Sequence, residues 1–495
     1  MTAKTLMIQG TMSSAGKSTL VTALCRIFAR RGVRVAPFKA QNMSNNAAVC
    51  HDGGEIGRAQ YTQALAAGIA PTVTMNPVLL KPEADMRSQV IVNGRMWETL
   101  PARSYYERKQ ALWQYVTTAL DSLSNEYDII IIEGAGSPVE LNLKRGDIVN
   151  MAVARYAQSP VLLAGDIDRG GIFAQLLGTL DLLEADERRL VKGLIVNKFR
   201  GDPSLFEDGI TILEERGNVP VLGVVPYVKN HGIPEEDAVA IEAQNRTNES
   251  SEQVDIAVIA LPRIANFDDF DPLSAEAGVS VHYVDQSTKL GKPDAIIIPG
   301  TKSTIADLTW LYETGFAEAI TQLSQSGTAI IGICGGYQML GESIADPQQI
   351  ESAQTQIRGL GLLPTVTQFL TEKSTHQIEA RLVSDIAWMN NITDQKITGY
   401  EIHMGQTISP SHWLDINRGH RESIADGAMR PDGRVWGCYV HGLFANDNFR
   451  RAWLSSLGWQ DTGQETISLN YAFDNLADVV EAHLDMKQLE SIIGL

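Results

Sequence analysis

Cysteine is scarce in this chain and poorly spaced for cross-linking. Its four residues, Cys25, Cys50, Cys334 and Cys438, stand far apart with no Cys-x-x-Cys pair. That pattern excludes a disulfide-stapled scaffold and a zinc knuckle, and it fits a reducing compartment. Long apolar runs are missing too. No stretch reaches the ~20 residues that a membrane helix needs, and the opening "MTAKTLMIQG" lacks the basic-then-apolar order of a secretory leader. Basic residues are in deficit, 41 Lys and Arg against 59 Asp and Glu, for a formal net charge of −18. Such a chain is a poor partner for nucleic acid, and any anionic ligand must be met by local cations or backbone amides. No repeat or low-complexity tract is present. The expectation is a soluble, cytoplasmic protein without nucleic-acid or membrane partners. Its 495 residues exceed what one core accommodates, which predicts two domains.

What is present is alternation. "TLMIQG", "RVAPF", "DIIIIEGAG", "SPVLLAGD", "GLIVNKF" and "VPVLGVVP" read as strands, and "KSTLVTALCRIFARRG" reads as a helix with a glycine stop. Near-continuous apolar strands alternating with helices predict an α/β fold with a parallel sheet covered on both faces. The text then turns polar and aperiodic in "PEEDAVAIEAQNRTNESSEQV", which places a linker at 241–253 between domains 1–240 and 254–495. Alternation resumes with "DIAVIALP", "VSVHYV", "DAIIIPG", "TAIIGIC" and "GLGLLPTV", and "RVWGCYVHG" follows before a helical C-terminal tail.

"IQGTMSSAGKST" lies between the first strand and the first helix, with the pattern G-x5-G-K-S. Gly10 and Gly16 let backbone amides turn onto phosphate oxygens, and the helix N-terminus adds partial positive charge. The residues expected to hold ATP are Gly10, Thr11, Ser14, Ala15, Gly16, Lys17, Ser18 and Thr19. Lys17 would reach the outer phosphates and Ser18 would ligate Mg²⁺. Glu133, after four isoleucines and before Gly-Ala-Gly, is the expected acidic partner of the metal. Asp52 in "HDGGEIGRAQ" is a second metal candidate, with a turn role as the alternative. Asn197 in "IVNKFRGD" is placed either to read an adenine edge or to cap. Lys39, Asn42, Arg58 and Lys81 are candidates for holding phosphate or an acidic substrate.

"GICGGYQML" sets Cys334 between a buried strand and a helical run, boxed by glycines. That is the geometry of a nucleophile elbow, with cysteine in place of serine. The helix N-terminus favours a thiolate, and the amide of Gly335, with Gly300 of "IIIPGTKST", can receive an oxyanion. His441 in "YVHGLF" is the expected base, although His403 in "GYEIHMG" also ends a strand-like stretch. Cys25 and Cys438 read as buried structural cysteines. A phosphate loop and an elbow cysteine in one chain unite most economically as an ATP-dependent amide ligase fed with ammonia from glutamine.

The chain resembles the cobyric acid synthases, glutamine-dependent amidotransferases of adenosylcobalamin (vitamin B12) biosynthesis. The resemblance rests on "GTMSSAGKSTLV", "RVAPFKAQNMSNNAAV", "DGGEIGRAQ", "MNPVLLKP", "GDIDRGGIFA", "IVNKFRGD", "LPRIANFDDFDPL", "IIPGTKSTIADL", "GICGGYQMLG", "GYEIHMG" and "HGLF". The N-terminal half is similar to P-loop dethiobiotin synthetases, the C-terminal half to class I, triad-type glutamine amidotransferases. The resemblance implies amidation of the b, d, e and g carboxylates of adenosylcobyrinic acid a,c-diamide, with L-glutamine and ATP as further substrates. It also implies Cys334 as nucleophile and His441 as its base. Class I glutaminases usually carry an acid two residues after that histidine; here Leu443 stands there. Glu401 is the stand-in expected to orient His441. The rival readings are the sister synthase that makes the a,c-diamide, and a partitioning-type ATPase switch with an inactive second domain.

Overall fold

The β-branched runs of the first half all enter one sheet. The computed structural model describes residues 3–83, 87–229, 231–234, 253–419, 423–463 and 468–495. In it Val221–Pro226, Val191–Phe199, Val161–Asp166, Lys4–Gly10, Ile129–Glu133 and Val35–Phe38 lie side by side in that order, all parallel. Ile129–Glu133 is buried at every position, as a strand covered on both faces must be. Lys4–Gly10 is central, so Gly10, Glu133 and Asp166 end neighbouring strands at one carboxyl edge. Open α/β sheets bind their ligands at this edge.

Between Phe38 and the helix Trp113–Glu126 the alternation stops. Gln41–Met43, Val78–Pro82, Arg87–Val92 and Arg95–Pro101 form a separate four-stranded sheet, and Ala47–Val49 pairs with Glu55–Gly57 as a hairpin. These strands are three to seven residues long and mixed in polarity, which is why periodicity gave no sign of them.

The second half orders Val279–Val284, Val254–Ile259, Ala295–Ile298, Ala329–Ile333 and Val435–Cys438 in a parallel sheet with Ala428–Met429 antiparallel at its edge. A third sheet is built on the antiparallel pair Val366–Leu382 and Ile397–Ile408. The expected strand "GLGLLPTV" is corrected to a turn-rich connection, and the strand begins only at Val366. Gly361 has φ +67°, and the amides of Leu360 and Leu362 close onto the carbonyls of Met339 and Leu340 instead of a ladder.

The tail also differs from expectation. Leu469–His483 and Met486–Ile493 leave the second half and pack on the helix Lys17–Arg30 of the first. Leu476, Val480 and Leu489 join the core that holds Leu24, Phe28 and Leu222. Arg26 pairs with Asp474 at 2.8 Å and Arg30 with Asp478 at 2.6 Å. The outer stripe of the phosphate-loop helix is apolar and needs this cover. Of the expected linker 241–253, all but Gln253 lies outside the described residues. The two halves meet where Ala47, Val49, Leu79 and Ile91 of the insert pack on Tyr400 and Ile402 of the long pair.

Candidate active sites

The phosphate loop is a closed cradle. Gly16 has φ +86°, and a Cβ there would lie 2.2 Å from Asn197 Nδ2, so only glycine opens this turn. Asn197 donates to Ala15 O at 2.8 Å, and Lys198 donates to Ser14 O at 2.6 Å and to Asp166 Oδ2 at 3.1 Å. The amide of Asn197 therefore braces the loop from behind and caps no helix, the N-cap position being Gly16. Thr11 Oγ1 donates to Gln175 Oε1 at 3.1 Å, and Ser18 and Thr19 open the helix Lys17–Arg30. Lys17 Nζ folds back over the loop, donating to Met12 O, Ser13 O and Gly136 O at 2.9, 3.1 and 3.2 Å.

Glu133 is the hub of this edge. Its Oε1 accepts from Ser18 Oγ at 2.9 Å and Lys39 Nζ at 2.8 Å, and its Oε2 from Gln63 Nε2 at 2.6 Å. Burial pushes the carboxyl up, but Lys39, Gln63 and Lys17 outweigh burial and hold it below the usual range. Two oxygen groups, Ser18 Oγ and Glu133, thus lie in direct contact beside the loop. That is the small protein share Mg²⁺ takes when phosphates and water supply the rest.

Four expected ligands lie elsewhere. Asp52 sits in the exposed turn of the hairpin, where its Oδ1 accepts from Gly54 N at 3.1 Å; it serves the turn, and Glu133 with Ser18 stand without it. Asn42 donates to Gln60 Oε1 at 3.0 Å in the interior. Lys81 is buried on Glu55, 2.5 Å away, and Glu55 Oε2 receives Lys373 of the second half at the same distance. Lys81 faces the cavity of Cys334, not the phosphate loop. Arg58 pairs with Asp268 of the second half at 2.5 Å. Sequence shows the charge of Lys81 and Arg58 but not the buried carboxylate that each one meets.

Cys334 occupies the expected elbow. It ends Ala329–Ile333 and caps the helix Gly335–Leu340 with φ +52°, a strained value for a residue with a side chain. A Cβ at Gly336 would lie 1.9 Å from Ile298 O, so the glycine permits the helix to dock on the neighbouring strand end. Cys334, Gly300, Gly335, Gln338 and His441 line one cavity, whose far wall comes from Lys81, Gln89 and Thr99 of the insert. A Cβ on Gly300 would lie 3.1 Å from His441 Cε1 and 3.8 Å from Cys334 Cβ, which measures how closely this strand-end turn stands against both residues.

The orienting acid is Asp269. His441 Nδ1 meets Asp269 Oδ2 at 2.6 Å, and Gly442 N donates to Asp269 Oδ1 at 2.8 Å. Burial pulls the imidazole down, yet Asp269 and the neighbouring Cys334 more than reverse this and raise its pKa to about 10. Asp269 thus biases His441 toward its protonated form. Glu401, the expected stand-in, is corrected: it pairs with Arg418 and lies 3.3 Å from His403 Nε2. His403 stacks on Tyr439 with ring centres 3.8 Å apart. Asp269 lies 172 positions before His441 in sequence, so no local spacing linked them. The one signal was a pair of acids, Asp268 and Asp269, set between Phe267 and Phe270 in "NFDDF". Gln63 and Asp166 were likewise missed.

Asp269→Asn is expected to lower glutamine hydrolysis by at least about 10²-fold, since the triad acid orients and charges the imidazole. Steady-state glutamate release measures this. An equal loss on Glu401→Gln with Asp269→Asn active would return the role to Glu401.

Comparison with known proteins matches this division of labour. Residues 6–238 match the model of the CobQ/CobB/MinD/ParA nucleotide binding domain, and residues 255–449 that of the CobB/CobQ-like glutamine amidotransferase domain. The chain is thus an amidating ligase that joins a nucleotide-binding half to a glutamine amidotransferase half. It is 56% identical to cobyric acid synthase of Chloroflexus aurantiacus over the full length of both chains. It is 55% identical to that of Herpetosiphon aurantiacus (100% and 99% covered) and 48% identical to that of Moorella thermoacetica (100% and 98%). The chain belongs to the cobyric acid synthase family. No helix among the described residues is long and apolar enough to cross a membrane.

Proposed function

We propose that the chain converts adenosylcobyrinic acid a,c-diamide to adenosylcobyric acid, amidating the b, d, e and g carboxylates with nitrogen from L-glutamine and one ATP per amide. The observation that carries this reading is the pairing, in one chain, of a Cys334–His441–Asp269 constellation with a phosphate loop whose Ser18 meets a buried strand-end glutamate.

In the second half the Cys334 thiolate attacks the glutamine side-chain carbonyl. The oxyanion is received by the backbone at Gly335 and Gly300, and the C–N bond breaks as His441 delivers a proton to the departing nitrogen. Ammonia leaves, and water hydrolyses the glutamyl thioester to glutamate and free thiol. In the first half the loop amides and Lys17 hold the ATP phosphates while a substrate carboxylate oxygen takes the terminal phosphoryl group, the bond to the β-phosphate breaks and ADP leaves. Mg²⁺ held by Ser18 and Glu133 would neutralise phosphate charge there. Ammonia attacks the acyl phosphate, whose phosphate leaves far more readily than the oxide of a free carboxylate.

Mass spectrometry of the product tests the substrate assignment. The expected result is four successive exchanges of acid for amide on the a,c-diamide. An enzyme that stops after two, on cobyrinic acid itself, would transfer the assignment to the sister reaction.

A further inference from the structure

The turn that carries Asp269 is held from outside its own half. Asp268, the residue before it, is buried, and neither of its carboxylate oxygens finds a directed hydrogen bond. Its counter-charge is Arg58 of the nucleotide-binding half, with Nη2 at 2.5 Å from Oδ2, a charge contact not aligned as a hydrogen bond. Arg58 is the first residue of the helix Arg58–Ala66. A cation at a helix N-terminus opposes the helix dipole, so the helix itself gains nothing from arginine there. The guanidinium also lies 5.4 Å from the ring centre of Tyr61 and 6.0 Å from that of Tyr400. Tyr400 in turn stacks on His441, ring centres 5.3 Å apart and 19° from parallel.

A second link from the same half holds the start of the turn. Asn46 Oδ1 accepts from Asn266 N at 2.7 Å, Ala47 N donates to Asn266 Oδ1 at 3.2 Å, and Asn266 Nδ2 donates to the Tyr400 hydroxyl at 3.1 Å. Asn266 has φ +53°, a left-handed conformation that these bonds fasten. The triad acid is therefore presented by a turn whose fastenings at Asn266 and Asp268 belong to the other half.

We propose that Arg58 is a positioning residue of the glutaminase, supplied by the nucleotide-binding half: by neutralising Asp268 it keeps the Asp268–Asp269 turn seated, so that Asp269 alone faces His441. This rests on the reading of Cys334, His441 and Asp269 as a glutaminase. Two adjacent buried carboxylates beside one imidazolium need a second cation. Without Arg58, Asp268 is an unpaired buried charge. It must then take up a proton or move toward His441, and either disturbs the Asp269–His441 contact. The same helix places Gln63 on Glu133 at 2.6 Å, so one nine-residue helix touches both sites.

The test uses the full chain with Arg58→Met, Arg58→Lys and the double variant Arg58→Met with Asp268→Asn. Glutamine hydrolysis and ammonium-driven synthesis are measured for each. Arg58→Met should lower kcat for glutamine at least about tenfold, leave KM within about twofold and spare ammonium-driven synthesis. Arg58→Lys should recover part of the loss by restoring charge without the planar fork. The double variant should recover part as well, because no buried charge is then left unpaired. Parental glutaminase activity in Arg58→Met overturns the proposal. So does an equal loss of ammonium-driven synthesis, which would assign Arg58 to the phosphate site. If Arg58→Met does not fold, Arg58→Lys and the double variant carry the same comparison. Glutamine hydrolysis surviving in Cys334→Ala would remove the reading of the site itself, whereas an unaffected Arg58→Met removes only this inference.

Discussion

Cys334→Ala is expected to abolish glutamine-dependent synthesis, by about 10⁴–10⁶-fold, while synthesis from ammonium salts survives. Cys334 is the nucleophile at the elbow, a residue 8% exposed whose Sγ lies 3.4 Å from Ile402 O. Its neighbour His441 is biased toward the imidazolium by Asp269, which sets the ring to supply the proton needed by the departing nitrogen. In the proposed mechanism ammonia is what the glutaminase half passes to the other. Supplying it directly bypasses the cysteine, and the bypass should strengthen at alkaline pH, where more of it is unprotonated. Glutamate release and amide formation, assayed separately, read the two halves apart. Cys25→Ala and Cys438→Ala are the controls. Both thiols are buried and pushed well up by burial, away from the thiolate form that reacts. A normal rate of glutamine use by Cys334→Ala would send the search for the nucleophile elsewhere.

Lys17→Ala should abolish synthesis from either nitrogen source, with a loss of at least about 10³-fold. Lys17 Nζ donates to two loop carbonyls and to that of Gly136, weak partners for an ammonium compared with phosphate oxygens. ATP therefore draws the charge onto its outer phosphates, where it stabilises the transferring group. Glutamine hydrolysis should persist in this variant, since Cys334, His441 and Asp269 do not touch the loop. Glu133→Gln is a harsher test of the same site. It strips the counter-charge from the buried Lys39, at a stability cost of about 3–5 kcal/mol, so lost folding would mimic lost chemistry. Substantial ammonium-driven product from Lys17→Ala would remove the acyl phosphate from the mechanism.

Local order carried the two motifs. The loop Gly10–Ser18 and the elbow at Cys334 are each contiguous in sequence, because a turn between a strand and a helix needs glycines at adjacent positions to expose its amides or its nucleophile. The apolar strands of both parallel sheets were legible for a similar reason, since a strand buried on both faces has to be written as an unbroken apolar run. Glu133 was legible because it interrupts such a run at its carboxyl end.

Tertiary structure alone decided the partners. Asp269 meets His441, Arg58 meets Asp268, and Lys373 meets Glu55 across 172, 210 and 318 positions of chain. A charge in sequence does not say whether it will face a ligand or a buried counter-charge. The desolvation of an ion is tolerable only beside its opposite, and which opposite is near depends on how the halves dock. The insert that carries Lys81 and Arg58, and the tail that returns to the first core, are therefore settled by packing rather than by periodicity. So is the origin of the third group of the triad, which lies in the glutaminase half and is held in place from the other.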